Sequence, residues 1–277
     1  MPNYTRDYLT ERHDDYESKF QDWNFHLLSY LGGQDYQNGY LLNRYVLESD
    51  EEYIKRMNNT AIDNHCKNVV QIYSSFLFRV PPTRNYGSLS GDEQLENFLK
   101  DADLDGRSFD NIIREMQINA SIYGTCWAIM DKPAVQTETR AEEIQLDIRP
   151  YISVYTPENV LNWKYQRMIN GRYELTELTL LENLQNDVAT LRVWTKEDIT
   201  TLMVKEFNKG YSTSQPILID EMPNMINEIP AVVLYNQKSQ KRAIGISDLQ
   251  DVAELQKSIY NDYSEIEQLI RLSNHPS

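Results

Sequence analysis

The apolar positions change period along the chain. They recur every three or four residues up to about residue 123, alternate from about 144, and return to the helical period beyond 245. Residues 1–31 read as a helix with one acidic face, its apolar side supplied by Trp23, Phe25, Leu27, Leu28 and Tyr30. The glycines and the Asn-Gly of LGGQDYQNG, 31–39, predict a loop. Ser49-Asp50-Glu51-Glu52 is a capping box, in which a Ser side chain and a Glu three residues on satisfy two orphan donors at once. Tyr53, Met57, Ala61, Val69, Tyr73, Phe76 and Leu77 then predict one long helix over 50–78, closed by Pro81-Pro82. A third helix is expected after Gly106, with Ser108 as N-cap and Phe109, Ile112, Ile113, Met116 and Ile118 on its apolar side.

YGTCWAIMD, 123–131, reads as a buried strand entered through Gly124, and PAVQTETRAEE, 133–143, as a polar loop. Leu161, Trp163 and Tyr165 alternate with Asn162, Lys164 and Gln166, the pattern of a half-buried strand. Asn170-Gly171 predicts a hairpin with a type I′ turn, and RYELTELTLLE is its returning strand. LRVWT and ITTLMVKEF form a second hairpin around Lys196-Glu197-Asp198, and IPAVVLYNQ, 229–237, is the last strand before a closing helix. Long helices, an antiparallel meander and a C-terminal helix make an α+β protein.

The closing helix carries the most distinctive pattern. In GISDLQDVAELQKSIYNDYSEIEQ, Gly245–Gln268, Ser247-Asp248-Leu249-Gln250 fits a second capping box, and the helical pattern runs on until Pro276 opposes it. At ~100° per residue, Val252, Leu255, Ile259, Tyr263, Ile266 and Ile270 form one stripe. Asp251, Glu254, Ser258, Asp262 and Glu265 form another, roughly 100° round from it. Such a helix either has an ordinary solvated face or packs laterally against copies of itself with its acidic side on a shared space.

Composition narrows the classes. The chain has 277 residues, 40% hydrophobic and 25% charged, which is globular, and 19 tyrosines, which suit half-buried surfaces and interfaces. A net charge of −15 argues against gripping nucleic acid through neutralised phosphates, which takes clustered Lys and Arg. Cys66 and Cys126 are too far apart in sequence to suggest a disulfide framework, and no apolar h-region or membrane-length run is seen, so a soluble intracellular protein is expected. Asp101, Asp103, Asp105 and Gly106 sit at the first positions of an EF-hand-like loop, 101–112, but Ile112 stands where a bidentate Glu is needed. The expectation there is an acidic turn leading into an N-cap, with a calcium-binding module as the alternative. His13, His26, His65 and His275 make no metal-binding spacing, and His65-Cys66 point in different directions on a helix. No phosphate loop and no nucleophile–base set stands out, so no enzyme, cofactor or metal is expected.

Four stretches together resemble the tailed-bacteriophage portal proteins, the head–tail connector family. YLLNRYVLESDEEYIKRMNNTAIDNHCKNVVQIYSSFLFRVPP, 40–82, is similar to the family's opening. GRSFDNIIREMQINASIYGTCWAIMDKP, 106–133, resembles its helix, small-residue turn and strand ending in Asp. RPYISVYTPENVLNWKY, 149–165, resembles the segment that sets a Trp on a strand after Pro-Glu, and IPAVVLYN with GISDLQDVAELQKSIYNDYSEIEQ looks like the strand and entry to the stem helix. The motifs are in the family's order and span most of the chain.

The resemblance implies a portal fold, with a wing-like α+β domain over 1–244 and a stem helix over 245–277. It implies a homo-oligomeric ring, usually a dodecamer, at one capsid vertex of the virion, assembled in the host cytoplasm beside the major capsid protein. Double-stranded DNA would pass through it during packaging and ejection, with terminase and then tail adaptor proteins docking, and no membrane involved. Portal chains usually continue into a clip, a second stem helix and a crown, so the resemblance implies the N-terminal part of a portal. Asp251, Glu254, Asp262 and Glu265 become candidates to line the channel, and Val252, Ile259, Tyr263 and Ile266, with exposed tyrosines and helix 50–78, candidates for subunit contact. Another ring-forming head–tail structural or adaptor protein is the alternative.

Overall fold

Helix α1, Asp14–Leu31, ends where Gly32 and Gly33 take positive φ (66° and 55°), a conformation other residues avoid. The computed structural model describes residues 12–133, 139–205 and 215–274. The segment read as a loop at 31–39 instead holds a short helix α2, Gly33–Asn38. Tyr36 is fully buried there, edge-on to Tyr260 at 5.3 Å between ring centroids, and that burial holds a turn of helix that two glycines alone do not favour.

The single helix expected over 50–78 is two: α3, Asp50–Asn59, and α4, His65–Leu77. The Ser49 capping box is present, with both reciprocal bonds to Glu52. The break has a local cause. Thr60 turns extended and its hydroxyl donates to Arg56 O (2.8 Å), while Asn64 caps the new helix by accepting from Lys67 N (2.8 Å). Short polar side chains here offer the backbone an alternative to the helical ladder. The helix stops at Leu77, before Pro81-Pro82. Helix α5, Glu93–Lys100, has Asp92 as N-cap, and α6, Phe109–Tyr123, starts directly after Ser108 as expected.

Strand β1, Thr125–Asp131, leaves Gly124 (φ 88°) and pairs antiparallel with β2, Tyr151–Tyr155, after a short helix α7, Arg140–Gln145. A five-stranded meander follows in sequence order: β3 Val160–Arg167, β4 Tyr173–Gln185, β5 Val188–Thr195, β6 Asp198–Val204 and β7 Ile217–Pro223. The hairpin at Asn170-Gly171 exists, but its turn is not type I′. Only Gly171 has positive φ (80°), Met168 N donates to Arg172 O (2.7 Å), and Asn170 Oδ1 accepts from Arg172 N (2.9 Å). That is a three-residue loop with one left-handed glycine. Both central residues are left-handed instead at Asn186-Asp187 (φ 49° and 62°), between the paired Gln185 and Val188. The last strand, β8 Ala231–Tyr235, joins β1 and β2 rather than the meander. A two-stranded pair, β9 Gln237–Lys238 and β10 Gly245–Ile246, then precedes α8, Gln250–Asn274. The expectations for residues 1–11, for the centre of the 133–143 loop, for His275 and for the stop at Pro276 lie outside the described residues.

By contacts the chain divides into two compact units. The first comprises 1–20, 92–109 and 126–233, and its core is the meander: Leu178, Leu180, Leu191 and Leu202 have no exposure. Trp163, on β3 as the Pro-Glu pattern suggests, is buried, stacks on His13 at 4.1 Å and lies 6.2 Å from Trp127. The second comprises 21–91, 110–125 and 234–277, three stretches brought together around α8. There Gly124 and Gly245 meet backbone to backbone, and a Cβ on Gly245 would sit 2.0 Å from Gly124 O.

Candidate functional site

The C-terminal helix is positioned by α6. Ser247 does not cap α8 in the expected box. Its Oγ lies 2.8 and 2.6 Å from the carbonyls of Ser121 and Ile122, orphan acceptors in the last turn of α6, and accepts from Leu249 N (2.9 Å). Asp248 N donates to Ser121 O (3.0 Å), and α8 begins at Gln250, with Ala253 N bonding Leu249 O.

From there 25 residues of helix run about 38 Å at ~1.5 Å per residue. The face of α8 that its own unit buries is Leu249, Ala253, Gln256, Tyr260 and Ser264. Two of these five, Gln256 and Ser264, are polar and Tyr260 adds a hydroxyl, so the face is hidden from a search for apolar periodicity. Each polar group is matched. Gln256 Nε2 donates to Ser29 O (2.9 Å) and its Oε1 accepts from Cys66 N (3.0 Å), and Tyr260 OH donates to Met57 O (3.3 Å). Burial pushes the Cys66 thiol up to about 12, which leaves it protonated and unreactive at neutral pH.

Residues 41–48 grip the next flank. Asn43 N donates to Asn261 Oδ1 (2.7 Å), and Tyr45 OH to Glu265 (2.7 Å). Arg56 sits at the centre of this grip. It holds both oxygens of Glu48 (2.8 and 2.7 Å), donates to Asn43 O (2.6 Å) and Ser264 Oγ (2.9 Å), and lies 4.1 Å over the Tyr45 ring. Both side chains of the ion pair are nearly inaccessible, 7% and 5% exposed. The bidentate hydrogen bonds from Arg56 hold the Glu48 carboxyl below its ordinary range against the opposing effect of burial, and Glu48 in turn raises Arg56. Sequence reading missed Glu48, Arg56, Asn261 and Ser264. The only signal was a Glu and an Arg eight residues apart, which has no fixed meaning across a turn and a helix.

The predicted site residues fall on the other two flanks. Asp251, Glu254, Asp262 and Glu265 are all exposed. At ~100° per residue they centre roughly 160° from the buried face, so they point away from the body of their own unit. Glu265, at the edge of this stripe, is also the acceptor for Tyr45. Of the apolar stripe, Val252 and Ile259 are half-buried, Tyr263 and Ile266 are exposed, and so are Leu255 and Ile270. The helix thus keeps polar groups inside and leaves an apolar stripe uncovered, the reverse of a helix that only completes its own core.

The acidic turn at 101–107 is self-satisfied. Asp101 accepts from Gly106 N and pairs with Arg149 (2.7 Å), and Asp103 accepts from the Asp105 and Arg107 amides and pairs with the Arg107 guanidinium. Burial raises the Asp103 carboxyl, but these donors together bring it down to about 2. Its oxygens are committed to protein donors rather than turned toward a cation. Among the described residues, no helix is long and apolar enough to cross a membrane.

A family model described as phage portal protein, SPP1 Gp6-like, matches residues 5–275. No curated protein matches the chain.

Proposed function

The chain belongs to the phage portal protein family, the structural head–tail connectors of phage virions, and on that premise we propose that it is one subunit of a closed ring whose axis is a channel for double-stranded DNA. In this reading residues 245–277 are the stem helix and residues 1–244 the wing. Twelve copies is the family's usual number. Terminase docks during packaging, tail adaptor proteins follow, and the major capsid protein surrounds the ring at its vertex.

The observation that carries the channel reading is the azimuth of the acidic stripe. Asp251, Glu254, Asp262 and Glu265 are exposed on the side of α8 opposite its buried face. If the body of each subunit lies outward, this side looks at the ring axis. Repeated round the ring, the four acids make a negative wall. Such a wall repels phosphates, whereas Lys and Arg there would release counterions and hold the duplex in place. A conduit needs the first behaviour.

The experiment is replacement of Asp251, Glu254 and Asp262 with Lys, keeping Glu265 as the acceptor for Tyr45. The side chains are exposed, so rings should still be seen by electron microscopy, while DNA packaging slows or stalls. Rings that package at the unaltered rate would remove the acidic stripe from the channel wall.

A further inference from the structure

Val46 and Leu47 are 99% and 97% exposed, yet the turn that bears them is tightly held. Tyr45 N donates to Glu48 Oε2 (3.2 Å), Glu48 N to Tyr45 O (3.2 Å) and Arg44 Nη2 to Glu48 O (2.8 Å). Arg56 clamps Glu48 from beneath. Two aliphatic side chains held out in water on a locked turn bury almost no apolar area of their own, so they add nothing to the stability of their subunit.

The bonds from residues 43–56 to Asn261, Ser264 and Glu265 fix where this turn stands around α8. At ~100° per residue those three positions centre about 90° to one side of the buried face. The apolar stripe through Ile259, Tyr263, Ile266 and Ile270 centres about 90° to the other side. Turn and stripe therefore occupy opposite flanks of one helix, roughly 180° apart, with the acidic stripe between them. They also stand at the same height, positions 261–265 against 259–270.

A closed cyclic assembly requires each subunit to offer two different, complementary surfaces to its two neighbours at one level. We propose that the Tyr45–Glu48 turn is an intersubunit knob: Val46 and Leu47 of one copy pack on Tyr263, Ile266 and Ile270 of α8 in the next copy. This rests on the ring reading above. The occupant is a second copy because the same chain carries both halves of the contact on opposed flanks. The acidic stripe between the flanks also disfavours two copies meeting face to face, since like charges would then be opposed. Two side chains are too few for a standard interface of ~1,200 Å² or more, so the knob acts as an anchor within a wider lateral contact.

Two measurements on the full chain test it. In Val46→Asp/Leu47→Asp the replaced side chains are almost fully exposed in their own subunit, so melting and circular dichroism should match the parent, while the concentration needed for rings rises at least ~10-fold. Intact rings at the parental concentration overturn the knob and leave the ring reading standing. A parent chain that forms no ring at any concentration overturns the ring reading and the knob with it. In assembled rings, a mixture of Leu47→Cys and Ile266→Cys chains should oxidise to mixed dimers that neither variant gives by itself. The native Cys66 and Cys126 are buried and do not compete. Should the double Asp variant misfold, this cross-link decides: its absence from intact rings rules the contact out.

Discussion

At the centre of the meander the buried side chains are mainly apolar, Leu178, Leu180, Leu191, Val193, Leu202 and Val204 among them. Along α8 the relation is inverted over half the circumference, with Gln256 and Ser264 inside while Leu255 (62%) and Leu269 (65%) face out. The meander is assembled from neighbours in sequence, β3 to β7 in order, and its first three hairpins, as far as β6, close over short loops. The helical unit gathers three separated stretches, and polar bonds such as Arg56 to Ser264 and Gln256 to Ser29 span 208 and 227 positions of sequence. A sheet core needs only area, because the hydrophobic effect has no direction. A helix that must hold a set rotation, with polar groups inside and an apolar stripe left exposed, is better fixed by directional bonds. Hydrogen bonds serve that end, since each is lost if the helix turns by a fraction of a residue.

Three changes break or sharpen this contrast, in falling order of effect. Arg56→Met leaves the Glu48 carboxylate buried without a cation, and should cost about 3–5 kcal/mol. Hydrogen exchange would show amides of α8 and 41–48 losing protection while those of β4–β6 keep theirs. Adding Glu48→Leu should recover much of the loss, because both charges are then gone. Equal deprotection of the meander would mean that the ion pair supports the whole chain rather than the rotation of α8.

Acid acts on the same bond more gently. The folded-state pKa of Glu48 is depressed, so its contribution is fully present above the ordinary carboxylate value and is lost as pH falls through the folded one. The 101–107 turn, with Asp103 at about 2, keeps part of its contribution further into acid. Exchange measured stepwise below about pH 4.5 should therefore loosen the 41–48 grip on α8 before that turn. The reverse order would place the controlling charge elsewhere. The smallest effect is in the sheet. Asp187→Gly relieves a left-handed non-glycine residue in the type I′ turn and should raise stability by ~0.5 kcal/mol, read by denaturant melting, with no change in α8.

Legibility followed the range of the cause. The Ser49 box, the strand after Gly124, the hairpin around Lys196-Glu197-Asp198 and Trp163 on its strand are all set by residues within a few positions, and all were readable. The break at Thr60–Asn64 was local too, but short polar side chains also occur inside helices, and an apolar pattern runs straight across them. The helix at 33–38 needed the burial of Tyr36 against Tyr260, more than two hundred positions away. The same distance hid the inner face of α8. Its exposed stripes were visible because periodicity marks apolar residues, whereas Gln256 and Ser264 look like surface.

The sequence by itself determined the α+β class, the family, the run of helices, meander and closing helix, and the two uncovered stripes of the last helix, because each depends on local pattern. Only the tertiary structure decided which flank of that helix is inside. It did so through Arg56, Gln256 and Ser247, polar groups whose meaning depends on partners that the fold brings from far along the chain. With that rotation set, the acidic stripe, the apolar stripe and the locked Val46-Leu47 turn each acquire a direction.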